Sequence, residues 1–294
     1  AVLLRVFWNN RRLELREGAD IVNPKPDALS ELGCQLARQA PADARIPEVV
    51  DDATKNVPML QHGRHANIQR MSMFSDPLAC QACPRLAEHL AQLRVRYPEW
   101  HARPVPSFGS LNSEFLVLGL APGEKGANRT GRPFSGDVAG ELLYPALRKF
   151  GFASLDKPLD EKGNAASGMV LSNCRITNAV RCLPPENKPT GAEIRACNAH
   201  LCAELAAMPN LKVVLALGTI AHQALLRARG LRPAQYTFGH DVAHTLPGGL
   251  LLVDSYHCSG YNWRTGRLSR ESFEAVFERV RNALSTNSYH QTVQ

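Results

Sequence analysis

From about Leu78 onward the chain alternates short apolar runs with segments that read as helices. Four runs have the composition of β-strands: Phe115–Leu120, Arg175–Val180, Val213–Leu217 and Leu250–Val253. Helix-like segments follow them at Ala139–Phe150, Glu193–Ala207, Ile220–Arg227 and Arg270–Ala283. Short strands alternating with helices predict a mostly parallel sheet covered on both faces. Ligands of such sheets bind at the carboxyl ends of the strands. Three loops leave those ends: GLAPGEKGANRTGRPFSGD (119–137), TNAVRC (177–182) and DSYHCSGYNW (254–263). They are expected to converge on one rim.

Residues 1–72 have a different character. Apolar periodicity is poor, and VNPKPDALSE and RQAPADARIPEVVDD are rich in turn and breaker residues. This stretch is expected to be a variable, poorly ordered extension, with one domain over 73–286 and a short tail over 287–294. At 294 residues the chain has room for a proper core, and its 44% apolar content is ordinary for a globular protein. No apolar run is long enough to span a bilayer. Arg11, Arg12, Glu14, Arg16 and Glu17 interrupt any signal-peptide core, so a cytoplasmic location is expected. The net charge of +7 lies almost wholly downstream, because residues 1–72 hold ten basic against nine acidic side chains. A basic domain fits a polyanionic partner such as nucleic acid, or simply a solubilising surface.

The loop at 119–137 has the glycines and cations of a phosphate cradle, and fails both tests for one. It lacks the Gly-x4-Gly-Lys-Ser/Thr string, and Ala121 and Glu124 break the dinucleotide fingerprint. What remains is a basic, flexible loop ending in Phe134 and Asp137, suited to a backbone phosphate and a planar base.

Eight cysteines are many for a chain read as cytosolic, where disulfides rarely persist, so metal ligation becomes the question. Cys80 and Cys83 form a Cys-x2-Cys pair, and Cys182 and Cys197 flank a Pro-rich turn. Four such thiolates suit structural zinc or an iron–sulfur cluster, and spacing does not choose between them. Cys34, Cys174, Cys202 and Cys258 read as ordinary buried thiols, with Cys202 the rival of Cys197 as fourth ligand. His257 follows a strand end, where a structural histidine is common. Its neighbours Ser259, Tyr261, Asn262, Trp263, Arg264 and Arg267 are better explained by a loop pressed against DNA. Asn178 is a turn amide or, through its paired donor and acceptor, a reader of a base edge.

Together these motifs resemble the uracil-DNA glycosylase superfamily, specifically its iron–sulfur members. GLAPGEKGANRTGRPFSGD looks like the first motif of the family 5 enzymes and SYHCSGYNWRTGRL like their second. ITNAVRCLPPENKPT with Cys197 resembles the segment joining the base-binding strand to the cluster. The resemblance runs from about Leu78 to Ala283. Leu120 stands where family 4 carries an acid, which favours family 5; Gly123 replaces the alanine more usual there, and Cys258 the proline expected after the histidine.

The resemblance implies a four-stranded parallel sheet in a three-layer α/β/α sandwich, and a [4Fe–4S] cluster on Cys80, Cys83, Cys182 and Cys197. It implies a monomeric enzyme that flips a damaged nucleotide out of DNA before hydrolysing its N-glycosidic bond. Phe134 would stack on the base, Asn178 would read it, and backbone groups of Leu120 and Ala121 would assist. His257 would donate to the anion developing on the leaving base. Asp137 would position water, although an Asp before a helix is also a natural N-cap. Lys125, Arg129, Arg132, Ser259, Tyr261, Trp263, Arg264 and Arg267 would contact DNA, with the wedge residue open among Tyr261, Trp263 and Arg264. Two other classes compete: an inactive nucleic-acid-binding protein of the same fold, and an iron–sulfur electron carrier that leaves the basic loops unexplained.

Overall fold

The structure, a computed structural model, describes residues 4–8, 11–15, 77–160 and 163–289, the last four of these as helix backbone alone. Within the stretch expected to be poorly ordered it describes an antiparallel hairpin of β1 (Leu4–Trp8) and β2 (Arg11–Leu15). The remainder of that stretch, Cys34 included, lies outside the described residues.

The domain begins with α1 (Pro84–Arg96) and the two-residue strand β3 (Phe108–Gly109). There follow β4 (Phe115–Gly119), the single turn α2 (Ala127–Thr130), α3 (Val138–Lys149) and β5 (Cys174–Asn178). Next come α4 (Gly191–Ala206), β6 (Val213–Leu217), α5 (Thr219–Ala228) and β7 (Ala243–Thr245). Finally β8 (Leu251–Ser255), α6 (Gly260–Arg264) and α7 (Arg270–Tyr289) close the chain's described part. Helix α7 runs past residue 286, so the expected boundary there falls inside a helix.

Six strands, ordered β3-β5-β4-β6-β8-β7, make the main sheet. Its centre is the expected parallel set, since β5, β4, β6 and β8 pair side by side in parallel. Two short antiparallel edges, β3 on β5 and β7 on β8, extend that central set to six strands. Such short antiparallel strands terminate a parallel sheet without offering a long open edge.

Strands β4 and β6 are buried at every position, as a sheet covered on both faces requires. The side-chain period of two sends Phe115 and Val117 to one core and Leu116 and Leu118 to the other. Helices α3 and α7 cover the first face, and α4 and α5 the second. The result is the three-layer sandwich. Asp254, three residues before His257, is buried in β8 and bonded to His222 of α5 at 2.9 Å, which fixes the strand end that carries the histidine.

Candidate base-excision cleft and cysteine site

The carboxyl ends of β4, β5 and β8 do converge, and they open into one cleft of about 550 Å³. Leu120, Ala121, Phe134, Asp137, Asn178 and His257 all line it. So do Ser259, Tyr261 and Arg264 from the third loop. Asn178 ends β5 only 6% exposed, and its Oδ1 is buried without a hydrogen-bond partner. A buried amide oxygen left open costs stability, and a site built to bind a polar ligand carries such groups.

The glycine loop owes its glycines to its own side chains. A methyl group on Gly119 would overlap both Asn178 Oδ1 and the Phe134 ring. One on Gly123 would stand 2.7 Å from Asp137 Oδ2, and one on Gly126 would overlap the same oxygen. The glycines therefore let the aromatic ring, the amide and the carboxylate approach the backbone. The loop's N–H groups turn inward as well: those of Asn128, Arg129 and Thr130 donate to carbonyls of Gly123 and Gly126. They form no cradle for phosphate.

Phe134 holds a positive φ of 54° while buried, a strained state for an aromatic residue. The turn is braced by Tyr144 Oη donating to Pro133 O at 2.9 Å and by the Thr130–Ser135 hydroxyl pair. These bonds hold the strained turn in place. The rings of Phe134 and His257 lie 6.0 Å apart and near parallel.

Asp137 does two things at once. Its Oδ1 accepts from Gly140 N at 3.1 Å, capping α3, while the residue lines the cleft. Burial raises its carboxyl above the usual aspartate range, against the lowering pull of the helix N–H groups. Burial also pushes the His257 imidazole down to about 4, so it is neutral near pH 7. Its loop is held by Asn262 Nδ2 donating to His257 O at 2.8 Å, with Ser259 capping α6.

The predicted DNA contacts divide. Tyr261 is the most exposed aromatic on the rim at 66% and shares a helix face with Arg264, three residues on. Trp263 and Lys125 are exposed but do not line the cleft. Arg267 stacks over the Tyr256 ring at 4.3 Å. Arg129 and Arg132 spend donors within the protein. Arg129 donates to the carbonyls of Lys125 and Gly163. Arg132 donates to those of Pro158 and Ala166 at 2.9 Å and covers the Phe108 ring. Both tie the loop to residues 158–166 behind it.

The Uracil DNA glycosylase superfamily model matches residues 106–281, a span that contains all three loops. A type-5 uracil-DNA glycosylase of Thermus thermophilus is 45% identical over 70% of this chain and 94% of its own length. Another type-5 enzyme, from Pyrobaculum aerophilum, is 37% identical over 68% of this chain and 87% of itself. The chain belongs to the uracil DNA glycosylase superfamily. Within it the type-5 relatives match better than the type-4 ones, of which that of Thermotoga maritima is 34% identical over 59% of this chain and 78% of its own length.

The superfamily match begins after the first cysteine pair, yet the fold closes that pair onto the second. Cys80, Cys83, Cys182 and Cys197 line one small cavity behind the cleft wall, with Arg181 and His200. Ala121 of the cleft packs on the same apolar patch as Cys83, Cys182 and Cys197. Cys202 does not line this cavity; it packs in the second core and is disulfide-bonded. Burial first, then the neighbouring Cys197 and Cys80 thiols, pushes the Cys83 thiol up to about 12. Burial and neighbouring thiols oppose ionisation of Cys83, Cys182 and Cys197, and a cationic group bound there would relieve this. Arg181 N–H donates to Cys197 Sγ at 3.4 Å. The frame is rigid: Arg85 forks onto Glu193 at 2.7 and 2.8 Å, and Glu193 completes a capping box with Thr190 at the start of α4. Glu204 joins Arg175 and Arg181 at 2.5 and 2.7 Å.

Asn187 was missed by sequence reasoning and also lines the cleft. It and Glu186 both hold φ of 56°, which turns the PPENKPT segment toward the mouth. The only signal was the Pro-rich turn itself.

Proposed function

We propose that this chain excises uracil from DNA by hydrolysing the N-glycosidic bond, leaving an abasic site in base excision repair. The observation that carries the reading is the convergence of Asp137, His257, Phe134 and Asn178 in one cleft. The type-5 glycosylase relatives support it.

In this reading the flipped base lies on the Phe134 ring, and its edge completes the open valence of Asn178 Oδ1. As the C1′–N1 bond lengthens, the electron pair leaves with the base and the sugar becomes cationic. Neutral His257 donates to the oxygen where the anion collects; a donor that stays uncharged does not need to be desolvated as a cation. A water adds its oxygen to C1′ as the bond breaks, and Asp137 positions it and takes its proton. Leu120 and Ala121 wall the base. Tyr261 enters the stack as the base leaves it, and Arg264, Ser259 and Lys125 meet the adjacent phosphates.

Cys80, Cys83, Cys182 and Cys197 would hold a [4Fe–4S] cluster. When bound it cross-links the start of α1, the end of β5 and α4, and supplies no chemistry to bond cleavage. The four cysteines line one small cavity, and four thiolates suit such a cluster. A brown protein with four iron and four sulfide per chain, by the composition of such a cluster, is the expected result; stoichiometric zinc contradicts it. No described helix is long and apolar enough to cross a membrane. A DNA substrate supports the cytoplasmic reading, and the cleft is complete within one chain, which supports action as a monomer.

The substrate range is tested with oligonucleotides carrying uracil, hypoxanthine or xanthine, single- and double-stranded. Alkali-labile sites at uracil support the proposal. Binding without excision would move the chain to the inactive class.

A further inference from the structure

Each of the four cysteines reaches the cavity from a different kind of support. Cys83 is the N-cap residue of α1, Cys182 follows β5, and Cys197 belongs to α4. Cys80 belongs to none of these elements. It follows a short turn of helix at Pro77–Ala79 and is half-buried. The ligand with the least backbone support nonetheless has a side-chain partner: His200 Nε2 lies 3.3 Å from Cys80 Sγ.

His200 is buried at 7% and stands three residues after Cys197, on the same face of α4. We propose that His200 donates its Nε2–H to the Cys80 sulfur and so fixes the loosest ligand of the site to its most rigid element. This rests on the reading that the four cysteines hold an iron–sulfur group. The chemistry fixes the direction of the bond. A metal-bound cysteine sulfur is a thiolate with lone pairs and no hydrogen, so a nitrogen at this distance is favourable only as a donor. That selects the tautomer with hydrogen on Nε2. Arg181 N–H meets Cys197 Sγ at 3.4 Å, so two of the four sulfurs accept such bonds. Outer donors of this kind orient ligands and govern how firmly a metal is retained. His200 is a positioning residue, remote from the substrate cleft.

The test uses the full chain, purified without air, with iron release to a chelator followed by the visible band. His200→Leu should lose iron roughly ten-fold faster than wild type, in line with the loss of an outer-shell donor. His200→Gln, which restores an N–H at nearly the same reach, should stay close to wild type. Equal rates in all three proteins overturn the proposal. Gln as fast as Leu overturns it too, because packing alone would then explain the loss. Histidine labelled with ¹⁵N in the wild-type chain gives a second readout that needs no variant. A weak coupling to the reduced cluster in pulsed EPR is expected; no coupling, or one as strong as direct iron–nitrogen ligation, contradicts a donor. A wild-type chain without iron overturns the cofactor reading itself, a result distinct from either.

Discussion

The base cleft and the cysteine cavity share a wall, the segment from Gly119 to Ala121 and the end of β5, yet they are built on opposite principles. In the cysteine site charged groups are matched: Arg85 with Glu193, and Arg175 and Arg181 with Glu204. In the cleft Asn178 Oδ1 has no partner, Phe134 is strained, and Asp137 is buried with its Oδ2 held against glycines. Charges paired internally, like those framing the cysteines, resist change; a polar group left unpaired in a cleft is completed by a ligand. The matched side serves as the anvil for the unmatched one. Disturbing the cleft should therefore change rates with little change in stability, and disturbing the cysteine frame should do the reverse.

The largest expected effect is on chemistry. His257→Ala should lower single-turnover excision by about 10²–10³, the usual cost of one donor to a developing oxyanion, with an unchanged melting temperature. A comparable fall in Tm would place His257 on the structural side of the comparison.

The pH profile comes next. Asp137 is raised by burial, so its carboxylate is lost as pH falls through a value above the ordinary aspartate range, and excision should fall with it. His257, pushed down to about 4, does not change charge between pH 5 and 9. Asp137→Asn should abolish the acid limb; a limb that persists in the variant belongs to another group.

How far the sequence carried this picture depends on what each residue has to do locally. The four parallel strands were legible because they are apolar runs next to helical segments, and the placement of Asp137, Asn178 and His257 on one rim because they lie at strand ends or in the loops that leave them. The edge strands were not: β3 has two residues and β7 is mostly exposed, so neither has an apolar period. Helix α1 does carry the pattern, with Leu86, Leu90 and Leu93 at helical spacing behind Pro84. The internal partners of Arg129 and Arg132 were not legible, because charge is visible in a sequence and its partner is not. Their partners are backbone carbonyls on residues 158–166, which no sequence distance predicts. The purpose of the loop's glycines was hidden likewise, since it depends on side chains up to 59 residues away, such as Asn178 over Gly119.

A smaller effect separates the rim from the pocket. Tyr261→Ala should slow excision from duplex DNA about ten-fold, since one aromatic–base stack is worth roughly 1–3 kcal/mol, and leave single-stranded uracil untouched. Tyr261→Phe should restore it, and Trp263→Ala should change neither substrate. Equal losses on both substrates would put Tyr261 in the base pocket instead of the stack.

The smallest effect separates the arginines from one another. Arg264→Ala should reduce the salt dependence of DNA binding by about one unit of slope, as loss of a phosphate contact does. Arg132→Ala should leave that slope unchanged and lower the melting temperature.

The central claim is that the incomplete side of the shared wall performs base excision. It is tested most directly by single-turnover incubation of excess protein with a duplex carrying one uracil, read as alkali-labile strand cleavage, for the wild type and His257→Ala. The account predicts a complete burst of abasic sites by the wild type and at least a hundred-fold slower burst by the variant, in line with the loss of one oxyanion donor. A wild-type chain that binds the duplex and leaves uracil in place would contradict it.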